Sequence, residues 1–172
     1  MFNHGTITAM LFLLVGVLYD QAHHRWIVYP DNYKDQNLAG KLAFGGLASQ
    51  MPIYNGMIII AFFAGLGLPA LSGFISEALC FIGGFSAYRT ITIIGTLGIL
   101  LNAVYFLRAY QRVFTGPLND NYKNLNDINN RELLTVVPIA LIVLIFGIYP
   151  APLVNIVSPA IDRLITLIQG VM

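Results

Sequence analysis

Glu77 is the residue whose type and setting most directly suggest chemistry. It is the only acidic side chain between Lys41 and Leu118, and apolar residues dominate on both sides of it. A carboxylate in hydrocarbon is costly, so an ionisable group in such a place faces a polar interior and serves a pathway. Burial favours the protonated carboxyl, which can then exchange a proton with a neighbour. The favoured role is a proton relay; the alternative is a hydrogen-bonded glutamate that pins two helices together.

His4, in Asn3-His4-Gly5, opens an otherwise apolar helix. Imidazole titrates near physiological pH and can hand protons on. The residues alone support equally a relay and an interfacial histidine satisfied by water. His23 and His24 stand beside Arg25 at the polar end of the same stretch. No third ligand lies at metal-binding spacing, so a solvated or interface role is expected for this pair. Arg108 and Arg112, one helical turn apart, read as anchors at a membrane interface.

Other chemistries are excluded or unsupported. The one cysteine, Cys80, rules out an internal disulfide framework and a Cys-based zinc or iron–sulfur site. It sits in an apolar run and reads as a small packing residue. The sequence has no phosphate-cradling glycine loop and no nucleophile elbow. It also has no flavin signature, so any redox chemistry belongs to other chains. A net charge of +1 leaves no nucleic-acid footprint.

The elements that must position Glu77 and His4 follow from composition. Apolar residues make up 57% of the 172 residues and charged residues only 10%, against about 25% charged in soluble domains. Residues 5–18, 51–68, 74–85, 90–107 and 133–149 form five apolar stretches. The first, fourth and fifth, with their flanks, approach the ~20 residues that cross a bilayer. The second and third are joined by Gly65-Leu66-Gly67-Leu68-Pro69-Ala70-Leu71-Ser72-Gly73. Pro69 removes a backbone donor, and the glycines weaken the helix around it. Residues 51–86 therefore read as one discontinuous helix with Gly67, Pro69 and Gly73 at its break.

Charge supports a single crossing there, because cytoplasmic loops are enriched in Lys and Arg. One crossing puts Arg25, Lys34, Lys41, Arg108, Arg112, Lys123 and Arg131 on one side, with Arg89 and Arg163 on the other. Two crossings would split the nine basic residues five against four. The expected fold is an all-α transmembrane bundle: a single domain over 1–172 with about four crossings, one of them broken. The long loops, about 20–50 and 114–131, face the cytoplasm or matrix and read as ordinary hydrated connections. Tyr29-Pro30-Asp31-Asn32 is a turn signal, Arg131-Glu132 begins the next helix, and Pro138 should kink it. Residues 153–171 repeat apolar side chains at helical spacing, an amphipathic tail helix that lies at the interface or docks on a partner.

These motifs, in order, resemble a known family. Asn3-His4-Gly5, Leu11-Phe12-Leu13-Leu14-Val15-Gly16 and Tyr19-Asp20-x-x-His23-x-Arg25 come first. Phe44-Gly45-Gly46-Leu47-Ala48, Met51-Pro52, Gly67-Leu68-Pro69 and Gly73-Phe74-Ile75-Ser76-Glu77 follow. Tyr110-Gln111-Arg112-Val113-Phe114-x-Gly116, Arg131-Glu132-Leu133 and Gly147-Ile148-Tyr149-Pro150-x-Pro152 complete the series. Together they resemble the C-terminal portion of the NuoM-type (chain M) antiporter-like membrane subunits of NADH:quinone oxidoreductase (complex I).

The resemblance implies discontinuous helices around a central polar axis, with proton transport coupled to NADH oxidation and quinone reduction. Glutamate at the break fits the NuoM type; the NuoN and NuoL types carry lysine there. His4 matches a histidine of the same axis, which raises its relay role above the even balance. The resemblance also implies NuoN- and NuoL-type partner subunits in the lipid bilayer. NADH, FMN, iron–sulfur clusters and quinone belong on partner subunits, with no cofactor in this chain. The implied location is a bacterial inner (plasma) membrane or, alternatively, the mitochondrial inner membrane. Family members are far longer, and Met1 enters an apolar stretch almost at once, so a fragment or split-gene product is expected. Competing readings are a cation/proton antiporter or membrane-bound hydrogenase subunit, and a structural or assembly fragment without transport.

Overall fold

The computed structural model describes residues 1–27 and 43–170. The turn expected at Tyr29–Asn32, the charges Lys34 and Lys41, and Val171 of the tail lie outside them. The described residues form helices α1 (Phe2–Ala22), α2 (Leu47–Gln50), α3 (Pro52–Leu66), α4 (Ser72–Ala87), α5 (Arg89–Phe114), α6 (Asn130–Ile148) and α7 (Ala151–Gln169). A 3₁₀ turn over Asp120–Tyr122 interrupts the loop before α6. Among the described residues no strand occurs, as the composition led one to expect.

The broken crossing is present. At α3's C-terminal end Gly67 is left-handed, with φ 82°. Its N–H donates to Ala64 O, and the Leu68 N–H reaches back to Phe63 O. This is a glycine-capped helix end, with Pro69 just beyond it to prevent continuation. Ala70 turns through a positive φ of 77° and α4 starts at Ser72.

The two halves lie end to end along α5. Tyr110 Oη donates to Asn55 Oδ1 (3.0 Å), the Phe106 ring meets Phe62 edge-on, and Asn102 Nδ2 donates to Gly65 O (3.0 Å). Further along α5, Gly95 faces the Phe81 ring and Thr92 faces Gly84. One helix of 26 residues, about 39 Å long, thus pairs antiparallel first with α3 and then with α4. A hairpin of α3 on α4 would not give that order.

Helix α1 runs antiparallel to α3, with Leu14 O accepting from Tyr54 Oη (2.8 Å). The core between α1, α2, α3, the end of α5 and α6 holds Met10, Leu14, Leu47, Met51, Tyr54 and Val136. Most other apolar side chains face outward, as bilayer or partner contact requires. By length and composition α1, α5, α6 and α7 could each cross a membrane. The tail therefore also qualifies as a span, besides the interfacial or docked role read from its amphipathic pattern. None of its residues is buried.

Two sequence expectations are corrected. The loop 115–129 is not an ordinary hydrated connection: Tyr122 and Ile128 are buried in the core. Its Asp127 carboxylate accepts from the Ile53 and Tyr54 N–H groups (2.8 and 2.9 Å), capping α3 from another segment. Cys80 is exposed on α4's outer face rather than packed inside. Periodicity identifies a helix but not which flank meets protein, and a polar loop can still contribute two or three apolar plugs.

Candidate functional site at the helix break

The break brings three backbone segments closer than side chains allow. A Cβ at Gly73 would strike Ala64 O, and one at Gly147 would strike Ala70 O and Leu71. Gly67 lies directly under the Glu77 carboxyl group, leaving no room for a Cβ. Glu77 therefore folds back across the break onto the cap of α3. It is partly buried and, among the described residues, makes no hydrogen bond or ion pair.

Breaking a helix frees backbone groups, and in a bilayer neighbouring helices must satisfy them. Two asparagines do so. Asn102 of α5 donates to Gly65 O, and Asn3 of α1 donates to Ser72 O (2.8 Å). Asn3 Nδ2 also donates to Ser76 Oγ (2.7 Å), one residue before Glu77.

The first turn of α1 is thus tied to the first turn of α4. That tie places His4 near the level of the break, yet no hydrogen bond joins it to Glu77. The His4 ring is exposed, and its polar neighbour is Thr8 Oγ1 at 3.5 Å, a long contact. Gly67, Gly73 and Glu77 meet at one place, Pro69 lies in the connecting turn, and His4 stands to the side.

The remaining sequence candidates sit at the opposite end. His23 is the left-handed residue that ends α1. His24 stacks on Phe44 (4.6 Å) and bonds Tyr122 Oη through Nε2 (2.7 Å), a packing role more specific than a solvated one. Arg108 and Arg112 are exposed near the end of α5, where an interfacial anchor belongs. Among the described residues no group of three metal-ligating side chains comes together. Sequence reasoning missed Asn102, Ser72 and Gly147. Polar asparagines inside apolar helices were the available signal for the first.

The break thus sets one ionisable side chain, Glu77, between apolar half-helices whose freed backbone groups are met by asparagines. The family described as "NADH:quinone oxidoreductase/Mrp antiporter, TM" matches residues 1–102, which include His4, both halves of the broken crossing and Glu77. The chain belongs to this family.

NADH-quinone oxidoreductase subunit M of Mycobacterium tuberculosis (strain ATCC 25618 / H37Rv) is 34% identical over 168 residues, 98% of this chain and 28% of that protein. The Rickettsia conorii subunit M is 32% identical over 166 residues, 96% of this chain and 31% of that protein. A chain of respiratory complex I from Thermus thermophilus with bound NADH superimposes with a TM-score of 0.73 at 27% identity. That match covers 89% of this chain and 29% of the other. This member of the family spans less than a third of the length of these relatives. The membrane bundle is shared, and the family match includes the break with its glutamate.

Proposed function

We propose that this chain is part of a proton-translocating membrane-arm subunit of NADH:quinone oxidoreductase, with Glu77 as its proton-carrying group. The observation that carries this reading is the Glu77 carboxyl lying on the cap of the broken helix, without a hydrogen-bond or ion-pair partner among the described residues. A carboxyl so placed holds its proton while its surroundings are apolar and releases it when a charge or water approaches. Conformational or electrostatic change in neighbouring subunits supplies that trigger. His4, on the α1 side and without a hydrogen bond to Glu77, takes part in the exchange only through an intervening group.

Under this reading the chain carries no redox centre. NADH, FMN, iron–sulfur clusters and quinone reside on other subunits, and NuoN- and NuoL-type chains flank it in a bacterial inner membrane. The test is Glu77→Gln in the intact assembly, measured in inside-out vesicles. Loss of proton uptake with the assembly still formed supports the relay. Unchanged uptake removes it and leaves a structural or assembly role. The family description also includes Mrp antiporters. Purification with antiporter-like chains and no NADH oxidation would move the chain to cation/proton exchange.

A further inference from the structure

Beside Glu77 lies a second polar group that the relay reading does not use. Both amide hydrogens of Asn3 are committed, one to Ser72 O and one to Ser76 Oγ. That fixes the orientation of the amide, because a flip would turn Oδ1 toward the Ser72 carbonyl, acceptor against acceptor. Asn3 Oδ1 is nonetheless buried without a hydrogen-bond partner, and so is the hydroxyl of Ser72, a residue only 1% exposed.

Buried polar atoms in native proteins are satisfied. Asn3 Nδ2 is already bonded to the carbonyl of Ser72 itself, so the two orphaned atoms belong to residues in direct contact. Ser76 Oγ accepts from Asn3 and still has a hydrogen to donate. An acceptor, a hydroxyl that can donate or accept, and a second hydroxyl donor match what one buried water bonds, about three partners.

We propose that Asn3, Ser72 and Ser76 hold an ordered water at the break and act as positioning residues for Glu77. This rests on the relay reading of Glu77. Ser72 and Ser76 share one face of α4, and Gly73 and Glu77 share the adjacent face. A water bonded to the serine face locks the rotation of the first turn of α4 against α1. That rotation sets whether the carboxyl rests on Gly67. The water also provides a hydrogen-bonding group at the α1 side of the break, where an apolar filler would leave the two orphans unsatisfied.

The test uses the intact assembly in inside-out vesicles, reading the initial rates of proton uptake and of NADH oxidation across pH, with Ser72→Ala, Ser76→Ala and Ser76→Thr. Each alanine variant should assemble normally and slow proton uptake about fivefold, the kinetic equivalent of one hydrogen bond of about 1 kcal/mol. Ser76→Thr should restore it. Uptake unchanged in Ser72→Ala would overturn the proposal, since deleting an orphaned hydroxyl that binds nothing is neutral. If the alanine variants assemble poorly, a density map of the wild-type assembly decides. A water bonded to Asn3 Oδ1 and Ser72 Oγ supports the node, and a neighbouring subunit's side chain in that place overturns it. Loss of uptake in Glu77→Gln with wild-type uptake in Ser72→Ala would retire the node and keep the relay. Unchanged uptake in both retires both.

Discussion

The carboxyl group of Glu77 rests against the α-carbon of Gly67, ten residues earlier and across the helix break. Gly67 is needed there twice over: for its left-handed φ of 82° and for the space its missing side chain leaves to the carboxyl. Gly67→Ala should therefore cost about 1–2 kcal/mol for the backbone conformation and also displace Glu77. Gly67→Asn separates the two, because asparagine tolerates the left-handed region but keeps a Cβ. Both variants should lose proton uptake in vesicles, while the alanine variant alone should lower the unfolding temperature substantially. Normal uptake in Gly67→Asn would show that the Glu77–Gly67 contact is not used.

The capping of α3 by a distant loop gives a prediction about stability alone. Asp127 accepts from the Ile53 and Tyr54 N–H groups and from its own neighbour Ile128. Asp127→Ala leaves partly buried donors unmatched, a loss of about 1–3 kcal/mol. Thermal unfolding of the purified assembly measures it, and protease cleavage within residues 115–129 should quicken. Equal melting and cleavage to wild type would mean the loop is held by Tyr122 and Ile128 instead.

Gly147 admits the backbone of the break into α6. Adding a methyl there meets Ala70 O and Leu71, and overpacking of this kind costs about 1–3 kcal/mol. Gly56, inside α3 with open space around it, provides the control. Gly56→Ala should stabilise by roughly 0.5–1 kcal/mol through helix propensity. The two variants should move the melting temperature in opposite directions; movement in the same direction would mean that helix propensity, not crowding, governs both sites.

The broken crossing was legible because its causes are local. Pro69 and Gly67 end a helix whatever surrounds them, and the basic residues count sides independently of packing. The match of α5 first to α3 and then to α4 gives a structural basis for the single crossing those charges suggested. Glu77 stood out as a lone acid, so the site's central residue was readable too. The groups that satisfy the break around it were not. Asn102 stands out as a polar residue in an apolar helix, but it and Asn3 act on carbonyls 37 and 69 residues away in sequence, and one chain does not say which carbonyls those are. The buried loop plugs Tyr122 and Ile128 were hidden for the same reason, set among Asn and Asp residues that look solvated. The outward face of Cys80 depends on which flank of α4 meets α5 and α6, which periodicity does not specify.

At the loop end, His24 makes a pH-dependent contact. The Trp26 N–H donates to its Nδ1 (3.2 Å), so that nitrogen carries no proton and Nε2–H faces Tyr122 Oη (2.7 Å). Partial burial lowers the pKa of His24 below the ordinary imidazole range. A histidine held neutral when folded gives stability that is complete above its unfolded pKa, near 6.5. That stability is lost as pH falls through this value toward the folded one. His24 is only partly buried, so the effect is local to the ring stack with Phe44 and Tyr122. Trp26 is the only tryptophan in the chain. In membranes whose other tryptophan-bearing subunits are matched by a His24→Phe control, its fluorescence should shift between about pH 7 and pH 5.5, close to that value. The control keeps the aromatic stack and cannot protonate, so its signal should be flat. An identical shift in the control would assign the change to another group, and a flat wild-type signal would mean the Trp26–His24 bond survives protonation.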